Sequence, residues 1–439
     1  MSDSADQEDV GLLEDPEALF TSLWVVVGVL LLWTGRRTYG LLDGGGWVGA
    51  LLVTQLFVSG IAIVVVATGG LVDLQRWSRP LAAWVIYQLG AVGLFTYLSL
   101  PPYFFASDVS LFESWASHLL VTGRNPMRES MLVAREAWPV ANSSANITAT
   151  RSGGVVSSYS YPGGTLPVSV VEQLLTPSDR LGLSTLLVSV GGLAWLVQRV
   201  DVALVPLALI AWLAPVVRPA SAALGVITPL WLVPLMIGLG AWYDRRLRVA
   251  GAAIGVAVAS KQLAWPVAGL ILVHIVRTGG LRGATRFAKP ALAAVLALVG
   301  WLALWDPAAW AFSAFFPFLP IGEPLVAQGV GLTSPTVAGV TTVPRALHRA
   351  LVLTVAGGLV VATWRYPDRM RWIIPFATIL VMLVHYRTLP SYYAAAVPLA
   401  IVALDARLRR LNALPAPTSV DVDDVVETPL GSADAEGDV

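Results

Sequence analysis

The sequence has no cysteine and few charges. None of its 439 residues is Cys, and only 13% are charged, against about 25% in soluble globular chains. The lack of Cys excludes disulfides, thiolate metal ligands and Cys nucleophiles. Only four histidines are present, spread along the chain, which also disfavours a zinc site. With 56% hydrophobic residues and a mean hydropathy of +0.71, the composition excludes a soluble domain and indicates a polytopic membrane protein.

The charges that are present are unevenly distributed. The chain has 28 acidic and 28 basic residues, so its net charge is zero. Residues 1–17 hold seven acids and residues 405–439 hold eight, whereas residues 18–404 hold 13 acids and 25 bases. Neutrality therefore results from two acidic tails, which we expect to be disordered, and a basic membrane body.

Apolar runs predict an all-α bundle of about twelve membrane segments. One of them, Val249 to Val276, is too long for a single untilted span and is interrupted at Lys261. Arginine clusters flank this run on both sides, and the positive-inside rule places both clusters in the cytoplasm. We therefore expect two half-length helices that form a hairpin with Lys261 at its buried tip. The remaining spans are predicted at 18–34, 47–72, 81–101, 181–198, 202–217, 226–242, 290–306, 348–364, 372–387 and 391–404.

The same rule predicts a multi-pass cell-membrane protein with both termini in the cytoplasm. The predicted parts are an acidic tail, two N-terminal spans with a cytoplasmic loop, a main membrane domain and a second acidic tail: 1–17, 18–80, 81–404 and 405–439. Two long segments, 102–180 and 307–347, fall on the external face. The first contains N-glycosylation sequons at Asn142 and Asn146, which suit that location.

A polar and apolar pattern directly after the third span predicts a helix that lies on the outer membrane surface. The pattern extends from Ser107 to Leu120, with Glu113 among its polar residues. Asp108 is either only the cap of this helix, with Ser110 and Glu113 as a capping box, or also a carboxylate with a chemical role at the lipid–water boundary. Both interpretations stay open.

Lys261 is the most informative single residue. A cation near the middle of a membrane is costly unless a counter-charge or a water-filled cavity stabilises it, so it is a candidate for function. The alternative is snorkelling or pairing with a structural acid. A lysine that opens toward the outer leaflet would suit a lipid-linked phosphate. Arg124, Arg218 and Arg387 could add positive charge, although a structural role is the default for each.

Further candidates lie in the two turns near the outer face. His385 and Tyr386 end the penultimate predicted span, where a histidine more often packs than catalyses, and Tyr161 lies in a Tyr-Pro-Gly-Gly turn, where an interfacial anchor is the default. Asp306 is expected to cap a helix or turn. Asp421 and Asp423 spell an Asp-x-Asp pattern, which we discount because it lies in the acidic tail.

These residues resemble the GT-C superfamily of polytopic glycosyltransferases, most closely the polyprenyl-phosphate-mannose-dependent branch. Four patterns across residues 81–404 carry the resemblance: Asp108 with its helix ending in Gly-Arg-Asn-Pro, Tyr159 to Pro167, Ala259 to Pro266, and His385-Tyr386. Two features depart from it. In typical members the acid follows the first span, whereas here two additional spans, 18–34 and 47–72, come first. In the second departure, Tyr161-Pro162-Gly163 replaces the more usual Tyr-Pro-Pro.

The resemblance implies an inverting transfer of a hexose, mannose in this branch, from a polyprenyl or dolichyl phosphate to a glycan or glycolipid acceptor on the external face. Asp108 would be the general base. Lys261, Arg124, Arg218 and Arg387 would bind the donor phosphate, and Glu113, Tyr161, His385 and Tyr386 would bind sugar or acceptor. No cofactor is required, a divalent metal is possible, and the lipid bilayer is the expected environment, without nucleic acid.

Two other classes of protein fit the sequence. A transporter or flippase for a lipid-linked sugar would use Lys261 for binding and Asp108 as a cap, but it predicts ionisable groups toward both faces and repeat symmetry. A non-catalytic subunit of a glycan assembly system would keep the topology without needing Asp108.

Overall fold

The structure is a computed structural model, which describes most of the membrane body. The described residues are 15–41, 46–99, 105, 107–138, 148–150, 153–176, 182–213, 219–223, 225–315, 326–341 and 343–413. Both sequons' asparagines, the 1–14 segment and the tail from 414 onward lie outside these ranges, as does the Asp421–Asp423 pattern.

Over these ranges the regular secondary structure is helical, apart from one pair of two-residue strands and an isolated bridge between Ala149 and Val155. The α-helices are α1 Pro16–Leu41, α2 Gly46–Gly69, α3 Leu74–Ser99, α4 Asp108–Val121, α5 Val133–Ala137, α6 Leu166–Leu175, α7 Leu183–Arg199, α8 Val205–Leu213, α9 Pro219–Ala223, α10 Thr228–Tyr243, α11 Leu247–Ser260, α12 Trp265–Val295, α13 Trp301–Trp305, α14 Pro307–Phe315, α15 Ser334–Val337, α16 Arg345–Arg365, α17 Pro367–Ile373, α18 Ala377–Leu383 and α19 Pro390–Asn412. The strands β1 Gln328–Gly329 and β2 Arg387–Thr388 pair in parallel.

Within the described part of the chain, five helical stretches are long and apolar enough to cross a membrane. They are Pro16–Tyr39, Gly46–Gly69, Leu74–Ser99, Gln262–Trp305 and Arg345–Arg365. Five further apolar helices of 10–17 residues, among them α7, α10 and α11, are shorter than a span needs alone. The prediction of an all-helical protein with several membrane-crossing helices is therefore confirmed in this coarse form.

The chain breaks at Lys261, where the sequence predicts the tip of a hairpin. Lys261 has an extended backbone, with φ −153° and ψ 134°, between α11 and a short 3₁₀ turn that leads into α12. Within α12 the backbone reverses at Gly280, whose φ of 61° suits glycine. The later half of α12 then packs so closely on α11 that a Cβ on Gly251 would lie 2.0 Å from the Phe287 carbonyl oxygen. Helix α11 and the two halves of α12 thus lie side by side.

A second layer covers the Lys261 end of the helical bundle, and we call it the cap layer. It comprises the described residues of 105–176, 302–315, 326–329 and 385–388, and it has a hydrophobic core of its own that includes Trp115, Tyr159 and Leu302. Helix α4 lies inside this layer. The prediction of the helix is confirmed, but its polar face does not look out on solvent, because Glu113, Ser114 and Ser117 are all buried.

The opposite end of the bundle holds a different cluster. Arg371 donates through Nη2 to the Tyr243 carbonyl oxygen at 3.0 Å, and the Tyr243 hydroxyl donates to the Arg371 carbonyl at 2.9 Å. These residues lie near the start of α11, which has 14 residues, so about 20 Å of helix separates them from Lys261. The two ends of the bundle are thus chemically distinct.

Candidate functional site

Asp108 is not the cap of its helix. Ser107 has the extended N-cap backbone, and its hydroxyl accepts the N–H of Ser110 at 3.3 Å while the Ser110 hydroxyl accepts the N–H of Ser107 at 3.1 Å. This reciprocal pair is a capping box. Of the two interpretations of Asp108, the helix cap is therefore wrong, because Ser107 is the N-cap and the box pairs Ser107 with Ser110, not Ser110 with Glu113. The Asp108 carboxylate, in the first turn, therefore does not cap the helix.

The Asp108 carboxylate instead meets Thr148, in a later part of the cap layer. The Thr148 hydroxyl donates to Asp108 Oδ2 at 2.9 Å, and the Thr148 N–H donates to the same oxygen at 3.3 Å. Arg387 donates through Nη2 to the Thr148 hydroxyl oxygen. One threonine thus joins the acid of α4 to the arginine of β2.

Lys261 lies on the same side as this group. Its ammonium is 3.7 Å from the centroid of the Tyr161 ring, a cation–π contact. It also interacts electrostatically with Asp108, Glu113 and Arg387. Asp108, Tyr161, Lys261 and Arg387 are each partly exposed, so these predicted site residues come together with accessible surface.

The turn that carries Tyr161 is fastened directly to the break at Lys261. Gln262 donates through Nε2 to the Ser160 carbonyl oxygen at 3.0 Å, and the Gly164 N–H donates to the Ala259 carbonyl oxygen at 2.9 Å. Trp310 closes the other side by donating through Nε1 to the Pro162 carbonyl oxygen at 2.9 Å. Two motifs about 100 residues apart are therefore one structural unit.

Glu113 is a buried acid behind this unit. Its side chain has no exposed surface, and it accepts hydrogen bonds from the Tyr159 hydroxyl at 2.6 Å and the Ser169 hydroxyl at 3.1 Å. Burial raises the pKa of Glu113 above its usual 4.5, although these hydroxyls and the charge of Lys261 oppose the shift. Glu113 therefore has no exposed surface in this structure with which to make the predicted contact with sugar or acceptor. Instead, it supports Tyr159 from the buried side.

His385 and Tyr386 form the turn before Arg387. The His385 ring is buried, with Nδ1 3.0 Å from the Arg387 carbonyl oxygen, and it contacts the Tyr386 ring at an interplanar angle of 33°, with ring centroids 4.5 Å apart. The guanidinium of Arg345 lies 5.1 Å from the Tyr386 ring centroid. His385 thus shapes the turn that presents Arg387, and Tyr386 remains partly exposed beside it.

Arg124 is paired elsewhere in the cap layer. Arg124 forms an ion pair with Glu129, 2.7 Å between Nη2 and Oε2, and its side chain is 53% exposed, so its positive charge is already matched at the surface. Arg218 lies outside the described residues.

A second ion pair ties the cap layer to the end of α13. Asp306 caps α14 by accepting the Ala309 N–H at 3.0 Å, as the sequence predicts, and it also pairs with Arg128. These two interactions, the Ala309 hydrogen bond first, hold the pKa of Asp306 below its usual value. Asp306 is therefore occupied by structure.

The charge around the site is predominantly positive. Among the described residues, Lys261 and Arg387 face one partly exposed carboxylate, Asp108, while Arg345 adds a cation beside Tyr386. A site of this composition suits an anionic ligand next to one basic oxygen. Within the described ranges, no group of three His, Asp or Glu side chains is arranged to hold a metal ion.

Comparisons with known proteins give no information on the function, which has to be inferred from the residues of the site. No protein-family model, no curated protein and no solved structure matches the chain. Sequence reasoning found Asp108, Tyr161, Lys261 and Arg387 but missed Thr148. The only signal at Thr148 was its place as the third residue of the Asn146 sequon, which pointed to glycosylation and not to the site.

Proposed function

We propose that this protein is a membrane glycosyltransferase that moves a hexose from a polyprenyl or dolichyl phosphate to a hydroxyl of a glycan or glycolipid. The observation that carries the proposal is the position of Asp108. Its carboxylate is freed from helix capping by Ser107 and lies among the charges of Lys261 and Arg387. The resemblance to the GT-C superfamily supports the same reaction, and mannose as the sugar rests on that resemblance alone.

The proposed chemistry divides between the acid and the two cations. Asp108 accepts the proton of the acceptor hydroxyl, and that oxygen attacks the anomeric carbon as the bond from this carbon to the phosphate oxygen breaks. The polyprenyl phosphate leaves with one additional negative charge, and the configuration at the anomeric carbon inverts. Lys261 and Arg387 stabilise the developing charge, an effect that is strong in a site of low dielectric constant.

The oxygens of Asp108 suit this role. Both hydrogen bonds described for the carboxylate end on Oδ2, which leaves Oδ1 as the oxygen to receive the proton. His385 and Glu113 support the turns that carry Arg387 and Tyr159, and we assign both of them positioning roles.

The proposed membrane arrangement has about twelve segments, both termini in the cytoplasm and the cap layer outside. Under it, the Lys261 end of the bundle faces the external leaflet, from which a lipid-linked donor reaches the site through the membrane. The Arg371–Tyr243 pair then lies at the cytoplasmic surface.

Glycan mass spectrometry on cells that lack the protein tests the proposal. Complementation with wild type should restore one hexose on a surface glycan. Asp108→Asn should lower transfer by about 10²- to 10⁴-fold, and Lys261→Met by about 10²-fold or more. Glu129→Gln is the matched control, because it neutralises an acid of the cap layer that pairs only with exposed Arg124 among its described contacts.

The outcomes separate the three classes of function. Full restoration by well-expressed Asp108→Asn would sink the general-base assignment. If, in addition, cells that lack the protein accumulated lipid-linked sugar on one side of the membrane, the protein would be a transporter. Restoration by both Asp108→Asn and Lys261→Met would indicate a non-catalytic subunit.

A further inference from the structure

Thr148 connects two parts of the site that lie far apart in the sequence. Its hydroxyl donates to Asp108 Oδ2 at 2.9 Å and accepts from Arg387 Nη2, across separations of 40 and 239 residues. A hydroxyl has one donor and two acceptor positions, so a single group can satisfy both neighbours. A carboxylate could not replace it without losing the donor, and an amine could not accept.

The backbone fixes Thr148 in this place. Its carbonyl oxygen accepts the Val156 N–H at 2.8 Å, Ala149 forms an antiparallel bridge with Val155, and the Ala149 carbonyl oxygen accepts the Val326 N–H at 3.1 Å. On the other side, Arg387 is held by the pairing of β1 with β2. The side chain of Thr148 is only 8% exposed. It is therefore built into the cap layer and is not a surface hydroxyl.

The two partners of Thr148 have different roles in the proposed reaction. Asp108 accepts the proton from the acceptor, and Arg387 binds the phosphate that leaves. Their relative placement must be held closely, since small misplacements of reacting groups cost large factors in rate.

We propose that Thr148 is a positioning residue that aligns Asp108 with Arg387, and that this is the role of the threonine in the Asn146 sequon. The inference rests on the proposed function. By binding Oδ2, Thr148 turns Oδ1 of Asp108 toward the acceptor, and by accepting from Nη2 it sets the direction of the remaining donors of Arg387. The Arg387 Nε atom is buried and has no partner among the described contacts.

The sequon supplies a matched set of variants. Thr148→Ser keeps both the hydroxyl and the sequon, whereas Thr148→Val keeps the size of the side chain and removes both. Asn146→Gln removes the sequon alone. A role in glycosylation predicts that Thr148→Val and Asn146→Gln behave alike; a role in the site predicts that only Thr148→Val is impaired.

The experiment uses purified full-length protein in two assays, binding of polyprenyl monophosphate and transfer from polyprenyl phosphate hexose. For Thr148→Val we expect kcat to fall at least tenfold and binding of the monophosphate to weaken about tenfold, because both partners lose their alignment. Thr148→Ser and Asn146→Gln should stay within about threefold of wild type in both assays. Thermal unfolding accompanies each variant, and Thr148→Ala replaces Thr148→Val if the latter does not fold.

The results distinguish this inference from the proposed function. Wild type that binds the monophosphate but transfers no hexose overturns the proposed function, and the binding series alone then judges Thr148. Equal binding and transfer by Thr148→Val and wild type overturns the inference and leaves the function standing. Impairment of Asn146→Gln to the same degree as Thr148→Val also overturns the inference. Wild type without any binding overturns both.

Discussion

At the scale of single residues, the Tyr161 ring is in direct contact with the ammonium of Lys261. An ammonium over an aromatic ring is held by about 0.5–2 kcal/mol, less than charge-assisted hydrogen bonds to a phosphate supply. The ring therefore keeps Lys261 in place without competing with a ligand. The Tyr161 ring also packs edge-on against Tyr159, with centroids 5.5 Å apart. Because the Tyr159 hydroxyl donates to buried Glu113, these two residues set the orientation of the Tyr161 ring.

This contact predicts different results for two substitutions of Tyr161. Tyr161→Phe keeps the ring and should bind polyprenyl monophosphate within about threefold of wild type. Tyr161→Leu removes the ring and should weaken binding about tenfold. Isothermal titration in detergent measures both, with Tyr39→Leu as control, since Tyr39 is 64% exposed on α1. Equal weakening by Phe and Leu would assign the effect to the Tyr161 hydroxyl instead.

Glu113 predicts a pH dependence of stability. Because burial raises its pKa in the folded protein, the folded state holds this proton at pH values where the unfolded chain, with a carboxyl pKa of 4.5, has lost it. Stability from this group is therefore greatest at acidic pH and falls as the pH rises above 4.5 through the folded pKa. In Glu113→Gln this component should disappear.

Thermal unfolding of detergent-solubilised protein from pH 4 to pH 8 provides the measurement. The difference in melting temperature between Glu113→Gln and wild type should shift in favour of the glutamine as the pH rises. Glu129→Gln, on the exposed side of the cap layer, corrects for the general effect of losing an acid. A difference that stayed constant across the range would contradict a raised pKa for Glu113.

At the scale of elements, one buried carboxylate joins the cap layer to the bundle. Glu172 of α6 accepts the N–H groups of Gly182, Leu183 and Ser184 at 2.8, 2.7 and 3.0 Å. These are the free N–H groups of the first turn of α7, whose own N-cap residue provides no side-chain hydrogen bond. The carboxylate also complements the helix dipole. A residue of one helix thus caps another.

We expect Glu172→Gln to destabilise the protein by about 2 kcal/mol, because an amide group replaces a charged acceptor and turns a donor toward backbone N–H groups. The loss should appear as a lower melting temperature in detergent. Glu129→Gln again serves as the control, with an expected change within about 0.5 kcal/mol, since it lies in an exposed ion pair. Equal melting temperatures for the two variants would show that α7 does not depend on this cap.

At the scale of the whole molecule, features that depend on neighbouring residues could be predicted from the sequence, whereas contacts between distant segments could not. The helix after Asp108, the break at Lys261 and the capping role of Asp306 follow from neighbours in the sequence, and all three are present. Whether Ser107 or Asp108 caps α4 depends on the backbone angles of one residue, because both types cap well. The contact of Thr148 with Arg387 spans 239 residues, and no periodicity of either segment encodes it.

The predicted orientation in the membrane can be tested because the chain has no native cysteine. Ser157 is exposed in the cap layer and Thr285 is exposed in α12 near the Gly280 reversal. If the basic residues around Thr285 face the cytoplasm, Thr285→Cys should react with a membrane-impermeant maleimide only after the cells are opened. Ser157→Cys should react in intact cells. Both labels should then be compared after detergent solubilisation, where equal reaction shows that each thiol is accessible. Labelling of Thr285→Cys but not Ser157→Cys in intact cells would invert the molecule, placing Asp108 and Lys261 on the cytoplasmic side and excluding transfer on the outer face.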